Sequence, residues 1–316
     1  MGEVILVTGA NGFVGRTLVE HFLHQGTTVI ATDLHNSLAI KEPSLHSDSP
    51  GAIRYYAGDL GNAEFVQSLG SEFSPTVIVH LAAIISQKQD PETRAAIMNA
   101  NIQATFNICE LARTQGSRII FPSTALVYGS QPGPFTETML TDPVDFYALS
   151  KLVSEQLIRY YEATYQVPSV VFRIGILYGL SQSNNMFIPS IVSAMLNGTE
   201  FPMTPGEQTR DFVFIRDFIE AIECVIERPT VRGVFHIGTG HAPTLREVAS
   251  IVEQLTGTHK LLKLGAVPYR ANESMEYCVN ADKAKSELCW QARTSLAEGL
   301  RLTINYMREK RVAQAN

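Results

Sequence analysis

The sequence predicts an α/β fold in which a doubly wound parallel sheet is followed by a smaller C-terminal α/β lobe. Two observations carry this prediction. Short runs rich in Val and Ile alternate with longer segments of helical period, which is typical of βαβ units around a buried parallel sheet. The first run, Val4–Thr8, leads at once into a glycine-rich turn at residues 9–15 that opens a helix. Doubly wound sheets commonly begin with such a strand, turn and helix.

The first 179 residues contain most of the regular elements. Apolar runs predict strands at residues Val4–Thr8, Thr28–Asp33, 53–57, 76–81, 118–122 and 170–173. Helical spacing of apolar residues predicts long helices over 101–113 and 147–161. The loop at 35–51, rich in Ser, Pro and Gly, is predicted to be a mobile surface connection. We therefore predict a first domain at residues 1–179.

The pattern changes after residue 179. A polar segment at 181–185 precedes an amphipathic stretch at 187–196 and a turn-rich region at 197–210, where we expect prolines to prevent a regular element. Capping-box sequences at 244–247 and 295–298 begin two helices. These features predict a smaller lobe at 180–316, although a strand and helix near 211–237 should return to the larger domain.

Composition excludes several classes of protein. With 45% apolar and 18% charged residues over 316 positions, the chain has the composition of a folded globular protein. Its formal charge of −6 provides no basic excess for nucleic acid. No apolar stretch is long enough to span a membrane. The four cysteines lie far apart in the sequence, which favours reduced thiols in the cytoplasm and predicts no metal site.

The glycine-rich turn predicts a dinucleotide site. The turn has the form GxxGxxG, which lets the backbone turn sharply and approach a pyrophosphate at the positive end of a helix. Asp33 ends the next strand, where its carboxylate would bind the adenosine ribose and repel a 2′-phosphate. The sequence therefore predicts a Rossmann-type sheet that binds NAD.

A second motif predicts acid/base chemistry. Tyr147 and Lys151 are four residues apart, on one face of a predicted helix. A cation beside a phenol favours the phenolate, which can exchange a proton with a substrate hydroxyl. Ser123 and Thr124 end the fifth strand, at the edge of the sheet where such folds bind ligands. A hydroxyl there can hydrogen-bond the same substrate oxygen.

In this order, the motifs resemble the extended short-chain dehydrogenase/reductase family, specifically its NAD-dependent nucleotide-sugar epimerases and dehydratases. The resemblance runs from the turn at 8–15 through 58–60, 80–83, Asn101 with Thr105, the pair Ser123 and Thr124, the YxxxK motif, 210–212 and a closing helix at 284–307. It implies catalytic roles for Thr124, Tyr147 and Lys151. It also implies NAD contacts from Gly9, Asn11, Gly12, Phe13, Val14, Gly15, Asp33, Asp59, Leu60, Leu81, Ala82, Ala83, Asn101, Ser123, Tyr147 and Lys151.

The resemblance also limits which reactions of the family this chain is expected to catalyse. Dehydratases and decarboxylases of the family carry an acid just after the catalytic Thr, whereas this chain has Ala125 and Leu126. This leaves the reactions that need hydride transfer but no second acid/base group. Among them, an NAD-dependent nucleotide-sugar 4-epimerase is the favoured hypothesis. The implied substrate contacts are Ser86, Thr124, Arg210 and Arg270.

Two alternatives stay open. Ile176 occupies a position where nucleotide-sugar enzymes usually have Asn, which favours a dehydrogenase of a small sugar, sugar acid or hydroxy acid. A catalytically silent NAD-binding protein is the third hypothesis, against which the intact Thr, Tyr and Lys argue. The family resemblance further implies a homodimer formed through the helices near 101–113 and 147–161.

Overall fold

A computed structural model describes residues 3–38, 52–86, 88, 90–270 and 273–315. The strands are β1 (Val4–Thr8), β2 (Thr28–Asp33), β3 (Ile53–Ala57), β4 (Val77–His80), β5 (Arg118–Thr124), β6 (Ser169–Ile174), β7 (Ile176–Tyr178), β8 (Phe201–Met203), β9 (Phe212–Phe214), β10 (Gly233–Ile237) and β11 (Leu262–Leu264). The helices are α1 (Phe13–His24), α2 (Ala63–Phe73), α3 (Pro91–Ile97), α4 (Ala104–Gln115), α5 (Phe146–Tyr165), α6 (Phe187–Asn197), α7 (Ile215–Ile226), α8 (Leu245–Thr256), α9 (Asp282–Glu287) and α10 (Leu296–Ala315).

The predicted doubly wound parallel sheet is confirmed. Seven strands lie in the order β10-β6-β5-β4-β1-β2-β3. β1 pairs in parallel with β2 on one side and with β4 on the other. The strand order reverses between β1 and β4, which places the carboxyl ends of these two strands at the point where open α/β sheets bind ligands.

The central strands β1 and β4 form because most of their side chains are apolar and buried. Leu6 on β1 and Ile78 on β4 belong to one buried cluster with Leu69 of α2, Ile108 of α4 and Ile158 of α5. Burial of each such side chain stabilises the fold by about 1.5–3 kcal/mol before entropy is counted. The helices therefore pack against the sheet through the apolar faces that their sequence spacing predicts.

The chain divides into two compact units that alternate along the sequence. The first comprises residues 1–127, 141–173 and 225–235, and the second comprises 128–140, 174–224 and 236–316. This pattern is more interleaved than a single boundary at 179, since residues 225–235 group with the first unit and 128–140 with the second. In the second unit, α6, α8 and α10 contact one another, and short parallel pairs join β8 to β11 and β7 to β9.

Two helix predictions need correction. Residues 98–103 are π-helical and α4 begins only at Ala104, so the segment 101–113 is not one regular helix. The closing helix at 284–307 is wrong: α9 ends at Glu287 and α10 begins at Leu296. Cys289 between them has a φ of 56°, in the left-handed region, which ends a right-handed helix.

Three local predictions have different outcomes. The capping box at Thr244 and Glu247 is present and begins α8. Pro202 lies inside β8, a short strand, so the expectation of no regular element there is wrong. Most of the loop predicted at 35–51 lies outside the described residues. In the described part of the chain, no helix is both long and apolar enough to cross a bilayer.

Candidate functional site

The glycine-rich turn after β1 has no room for side chains at two positions. Gly9 has a φ of 66°, and a Cβ there would lie 2.7 Å from the backbone nitrogen of Ala82. A Cβ on Gly15 would lie 2.2 Å from the carbonyl oxygen of Gly9. The backbone of the turn therefore packs directly against the start of α1 and the segment after β4, as a dinucleotide cradle requires.

The N-terminus of α1 provides the donors for this cradle. Gly12 is the N-cap, and its N–H donates to Gly9 O at 2.9 Å. The N–H of Arg16 donates to Gly12 O and closes the first helical turn, so Phe13, Val14 and Gly15 precede the first intrahelical bond. Their N–H groups lie at the positive end of the helix dipole, which fits the pyrophosphate of a dinucleotide.

Asp33 lies at the end of β2 beside this turn. One carboxylate oxygen accepts the backbone N–H of Asn11 at 3.0 Å, and the other lies 2.8 Å from Nδ1 of His35. The side-chain amide of Asn11 donates to Ser37 O and to the Tyr55 hydroxyl oxygen, both at 3.0 Å. These contacts fix the carboxylate next to the glycine-rich turn, where a ribose would be bound.

Asp59 and Leu60 follow β3 and are held by two side chains that the sequence did not single out. Asp59 accepts the N–H of Gly61 at 2.8 Å and the amide of Asn99 at 3.1 Å. The carbonyl oxygen of Leu60 accepts the amide of Asn107 at 2.7 Å. Asn99 lies in the π-helical segment and Asn107 on α4, so only tertiary contacts reveal their role.

A buried chain of hydrogen bonds runs beneath the cradle. The N–H of Ala82 donates to Thr8 Oγ1 at 3.1 Å, and Thr8 Oγ1 lies 2.8 Å from His80 Nδ1. His80 Nε2 lies 3.2 Å from Thr105 Oγ1, which donates to Asn101 O at 2.5 Å. Burial, together with the charge of Lys151, lowers the pKa of His80 to about 3. The imidazole is therefore neutral and joins β1, β4 and the π-helical segment.

Asn101 fixes the segment after β4. Its side-chain oxygen accepts the N–H of Ile84 at 2.8 Å, and its amide donates to Ile84 O and to Ser150 Oγ. Asn101 is only 2% exposed and lies in a π-helical turn, a feature frequent at functional sites. It therefore connects the loop that contains Leu81, Ala82 and Ala83 to helix α5.

The three candidate catalytic residues lie on β5 and α5. Thr124 ends β5, and its Oγ1 accepts the N–H of Leu126 at 3.1 Å. Tyr147 is half-buried in the first turn of α5, one turn before Lys151. The Lys151 ammonium donates to Pro122 O at 2.8 Å and lies 4.5 Å from the centre of the Phe121 ring. Lys151 thus contacts the strand that carries Thr124.

Burial shifts the pKa values of both Tyr147 and Lys151. Burial and the carboxylate of Asp145 raise the pKa of Tyr147. Burial lowers the pKa of Lys151 to about 8, although the carboxylate of Glu155 raises it. A phenol whose pKa is raised needs a neighbouring cation to lose its proton near neutral pH, and Lys151 is the cation that the helix places one turn away.

Ser123 has an internal partner. Its hydroxyl donates to the carboxylate of Glu155, which also forms a 2.7 Å ion pair with Arg173. The role of Ser123 as a cofactor contact stays a prediction. Neither Glu155 nor Arg173 was singled out from the sequence; the acid one helical turn after Lys151 was the available signal.

The predicted substrate contacts have separate environments. Ser86 Oγ accepts the N–H of Lys88 at 3.2 Å. In the second unit, the Arg210 guanidinium is ion-paired with Glu273 and donates to Thr209 O and Ser274 O at 2.7 and 2.8 Å. Burial lowers the pKa of Arg210, and Arg270 is exposed. Within the described residues, no three His, Cys, Asp or Glu side chains are grouped as metal ligands.

Comparisons with known proteins agree on the kind of enzyme this chain resembles. The model of the NAD dependent epimerase/dehydratase family matches residues 5–238. A UDP-glucose 4-epimerase of Mycolicibacterium smegmatis is 29% identical, over 96% of this chain and 98% of that protein.

Solved structures of enzymes of these kinds are also similar to this chain. The structure of a UDP-glucose 4-epimerase from Thermotoga maritima with UDP-glucose is similar with a TM-score of 0.86 and 27% identity, over 97% of this chain and 99% of that one. A dTDP-glucose 4,6-dehydratase of Bacillus anthracis in complex with NAD has a TM-score of 0.86 and 26% identity, over 98% and 97% of the two chains.

Proposed function

This chain belongs to the NAD dependent epimerase/dehydratase family, and on that premise we propose that it is a nucleotide-sugar 4-epimerase. It is an NAD-dependent enzyme of the extended short-chain dehydrogenase/reductase type. The observation that carries the finer proposal is the segment after Thr124. Ala125 is fully buried and Leu126 follows it, so no carboxylate stands where dehydration would need a second acid/base group.

We assign the two ligands to separate sets of residues. The nicotinamide of bound NAD would accept a hydride from the substrate and return it. We propose that NAD is held by Gly9, Asn11, Gly12, Phe13, Val14, Gly15, Asp33, Asp59, Leu60, Leu81, Ala82, Ala83, Asn101, Ser123, Tyr147 and Lys151. We propose that the sugar nucleotide contacts Ser86, Thr124, Arg210 and Arg270. Planar guanidinium groups match the geometry of phosphate oxygens.

The proton steps follow from the geometry of α5. Tyr147 Oη takes the proton of the substrate hydroxyl as the carbinol carbon is oxidised, and it returns a proton when the ketone is reduced from the other face. The Lys151 ammonium, held on Pro122 O, stabilises the phenolate that takes this proton at the start of the cycle and forms again when the proton is returned. Thr124 at the end of β5 donates a hydrogen bond to the same substrate oxygen. No net oxidant is consumed, because oxidation and reduction occur in one cycle.

Ile176 supports a second candidate function. The resemblance has Asn at this position, and in the second unit Ile176 begins β7 with its N–H donating to Asp211 O at 2.7 Å. An apolar side chain cannot hydrogen-bond a diphosphate. A dehydrogenase of a smaller sugar, sugar acid or hydroxy acid would not need that contact.

The first experiment separates the two candidates. Purified protein is denatured, and the NAD and NADH released per chain are quantified by mass spectrometry. An epimerase that recycles its own hydride should release close to one cofactor per chain. It should interconvert UDP-glucose and UDP-galactose, or an epimer pair in a panel of UDP-, GDP- and dTDP-sugars, without accumulation of NADH. Accumulation of NADH with aldonates, uronates or hydroxy acids would favour the dehydrogenase, and a panel without any epimer would exclude the epimerase.

A tyrosine variant tests the proposed catalytic group. Tyr147→Phe should lower the epimerisation rate by at least about 100-fold, the usual contribution of a positioned acid/base, while cofactor content stays near that of the wild type. Tyr160→Phe is the matched control, because Tyr160 lies on the same helix and is 55% exposed. An epimerisation rate of Tyr147→Phe equal to that of the wild type would show that Tyr147 is not the group that transfers the proton.

Two further proposals concern the whole protein. We propose a homodimer, supported by the exposed apolar side chains of α4 and α5, Phe106, Leu149, Tyr160 and Tyr165. We also propose a cytoplasmic location, supported by the four cysteines, which form no disulfide with one another.

A further inference from the structure

A buried polar cluster lies behind the proposed catalytic residues. Ser123, Glu155 and Arg173 are each less than 10% exposed. The carboxylate of Glu155 accepts the Ser123 hydroxyl, Arg173 Nη2 at 2.7 Å and Arg173 Nε at 3.1 Å. A buried ion pair of this kind costs desolvation energy and is weak evidence of stabilisation in itself. Its position therefore calls for a functional explanation.

The cluster connects β5, β6 and α5 beside the proposed catalytic residues. Ser123 is on β5, immediately before Thr124, while Arg173 is on the neighbouring strand β6. Glu155 is on α5, one turn after Lys151 and two turns after Tyr147. Lys151 makes its own contact with β5 through Pro122 O. Two successive turns of α5 are thus fastened to two successive residues of β5.

Several titratable groups surround Lys151, and they differ in charge. On α5 itself, Lys151 has the phenol of Tyr147 before it and Glu155 after it. From β4 it is faced by His80, which is neutral, and β6 contributes the cation Arg173 through the ion pair. Glu110 of α4 instead accepts the Tyr161 hydroxyl, farther along α5. Glu155 is the anion of this set, and its charge favours the ammonium form of Lys151.

We propose that Glu155 is a positioning residue, which fastens α5 to β5 through Ser123 and keeps Lys151 charged beside Tyr147. The inference rests on the proposed function, because it assigns Glu155 to the reaction only through Tyr147 and Lys151. Glu155 contacts neither substrate nor cofactor in this role. It acts because a neutral Lys151 could not stabilise the Tyr147 phenolate.

The charge of Lys151 can be measured without substrate or cofactor. The chain has eight lysines, so protein labelled with ¹³C at lysine Cε gives few signals, and Lys151→Met identifies that of Lys151. The Cε shift is followed against pH in the wild type, in Glu155→Gln and in Ser123→Ala. The Lys151 midpoint should fall by about one pH unit in Glu155→Gln, a tenfold change in its proton affinity. It should stay within a few tenths of a unit in Ser123→Ala, which keeps the ion pair.

A double variant covers the case in which Glu155→Gln does not fold. Glu155→Gln with Arg173→Gln leaves no buried charge unpaired, and the Lys151 midpoint should fall in it as well. A midpoint unchanged from the wild type in the folded Glu155→Gln protein or in the double variant would overturn the proposal.

The positioning role has its own kinetic test. In Ser123→Ala, kcat should fall about tenfold for the epimer pair found in the sugar panel, whereas KM stays within about threefold and the pH profile is retained. In Glu155→Gln, the alkaline limb of the kcat profile should move to lower pH, and Glu155→Asp should restore it. A wild-type kcat in Ser123→Ala would show that the hydrogen bond between Ser123 and Glu155, which connects β5 to α5, has no role in the reaction. Absence of any epimerase activity would refute the proposed function but leave the lysine titration intact as a test of Glu155.

Discussion

His80 is a buried histidine whose charge state links stability to pH. It is fully buried between Thr8 and Thr105, and burial lowers its pKa from 6.5 to about 3. The unfolded chain binds a proton at this residue below pH 6.5 but the folded protein does not, so stability is lost as pH falls through that interval. Between pH 6.5 and pH 5 the loss from His80 should be about 2 kcal/mol, at roughly 1.4 kcal/mol per unit.

Urea unfolding at several pH values measures this effect. His80→Gln should be less stable than the wild type at pH 7, because hydrogen bonds are lost, yet its stability should fall less between pH 6.5 and pH 5. His24→Gln, a change at an exposed histidine of α1, should keep the wild-type slope. The assignment to His80 fails if His80→Gln and the wild type have the same slope.

At the scale of residues, the sequence predicted those functional groups that can be recognised from residues near one another in the chain. Tyr147 and Lys151 are one helical turn apart, and Asp33 ends a strand, so spacing alone brought them to attention. The partners of Glu155 could not be found in this way, because Ser123 and Arg173 are distant in sequence and adjacent only through the sheet. The same applies to Asn99 and Asn107, whose amides hold Asp59 and Leu60.

The start of α1 depends on the absence of a side chain at residue 15. A Cβ there would meet the carbonyl oxygen of Gly9 at 2.2 Å, so Gly15→Ala must displace the turn from the helix. Strain of about 1–3 kcal/mol is expected for such overpacking, and bound NAD should fall at least about tenfold. Cofactor released per chain and isothermal titration with NAD measure the change.

Gly116→Ala is the control for this prediction. Gly116 ends α4 with a φ of 68°, and a Cβ there would meet nothing within 4 Å. Alanine in the left-handed region costs about 1–2 kcal/mol, so stability should fall while NAD binding is unchanged. Equal NAD binding by Gly15→Ala and the wild type would show that the close approach of the turn is not required.

At the scale of elements, the strands were predicted more accurately than the helices. Val4–Thr8 and Thr28–Asp33 match β1 and β2, because buried parallel strands are short continuous apolar runs. The π-helical segment before α4 differs from an ordinary helix in its backbone hydrogen bonding, which the pattern of apolar residues does not show. No Gly or Pro marks the break at Cys289, and the capping-box sequence at 295–298 is the signal that a new helix, α10, begins after it.

The proposed homodimer makes a prediction for the whole molecule. Phe106 on α4 is 41% exposed, and its ring makes an edge contact with Tyr161. An exposed aromatic patch of this kind is typical of a protein interface. Analytical ultracentrifugation should find a dimer for the wild type and a monomer for Phe106→Glu. Leu140→Glu, at an apolar residue that is 84% exposed, should remain dimeric, and a dimer of Phe106→Glu would place the interface elsewhere.

At this largest scale, the sequence predicted the fold class and the cofactor, and the domain boundary at residue 179 stays a prediction. Alternating strands and helices specify a doubly wound sheet, and the turn at 9–15 specifies where a dinucleotide binds. Residues 225–235, which group with the first unit, lie within the segment near 211–237 that the sequence predicts to return to the larger domain, whereas the grouping of 128–140 with the second unit leaves no trace in composition. Which unit such a segment joins depends on contacts between residues that are far apart in sequence.

The strand order of the large sheet has a consequence for biosynthesis. β10, at one edge, pairs with β6 although some sixty residues separate them. A nascent chain that has emerged only to residue 179 would present β6, buried along its whole length in the finished protein, as an unpaired apolar edge. Such edges recruit other chains. Ribosome pausing between β6 and β10 would therefore be the stage of synthesis at which this protein most needs a chaperone.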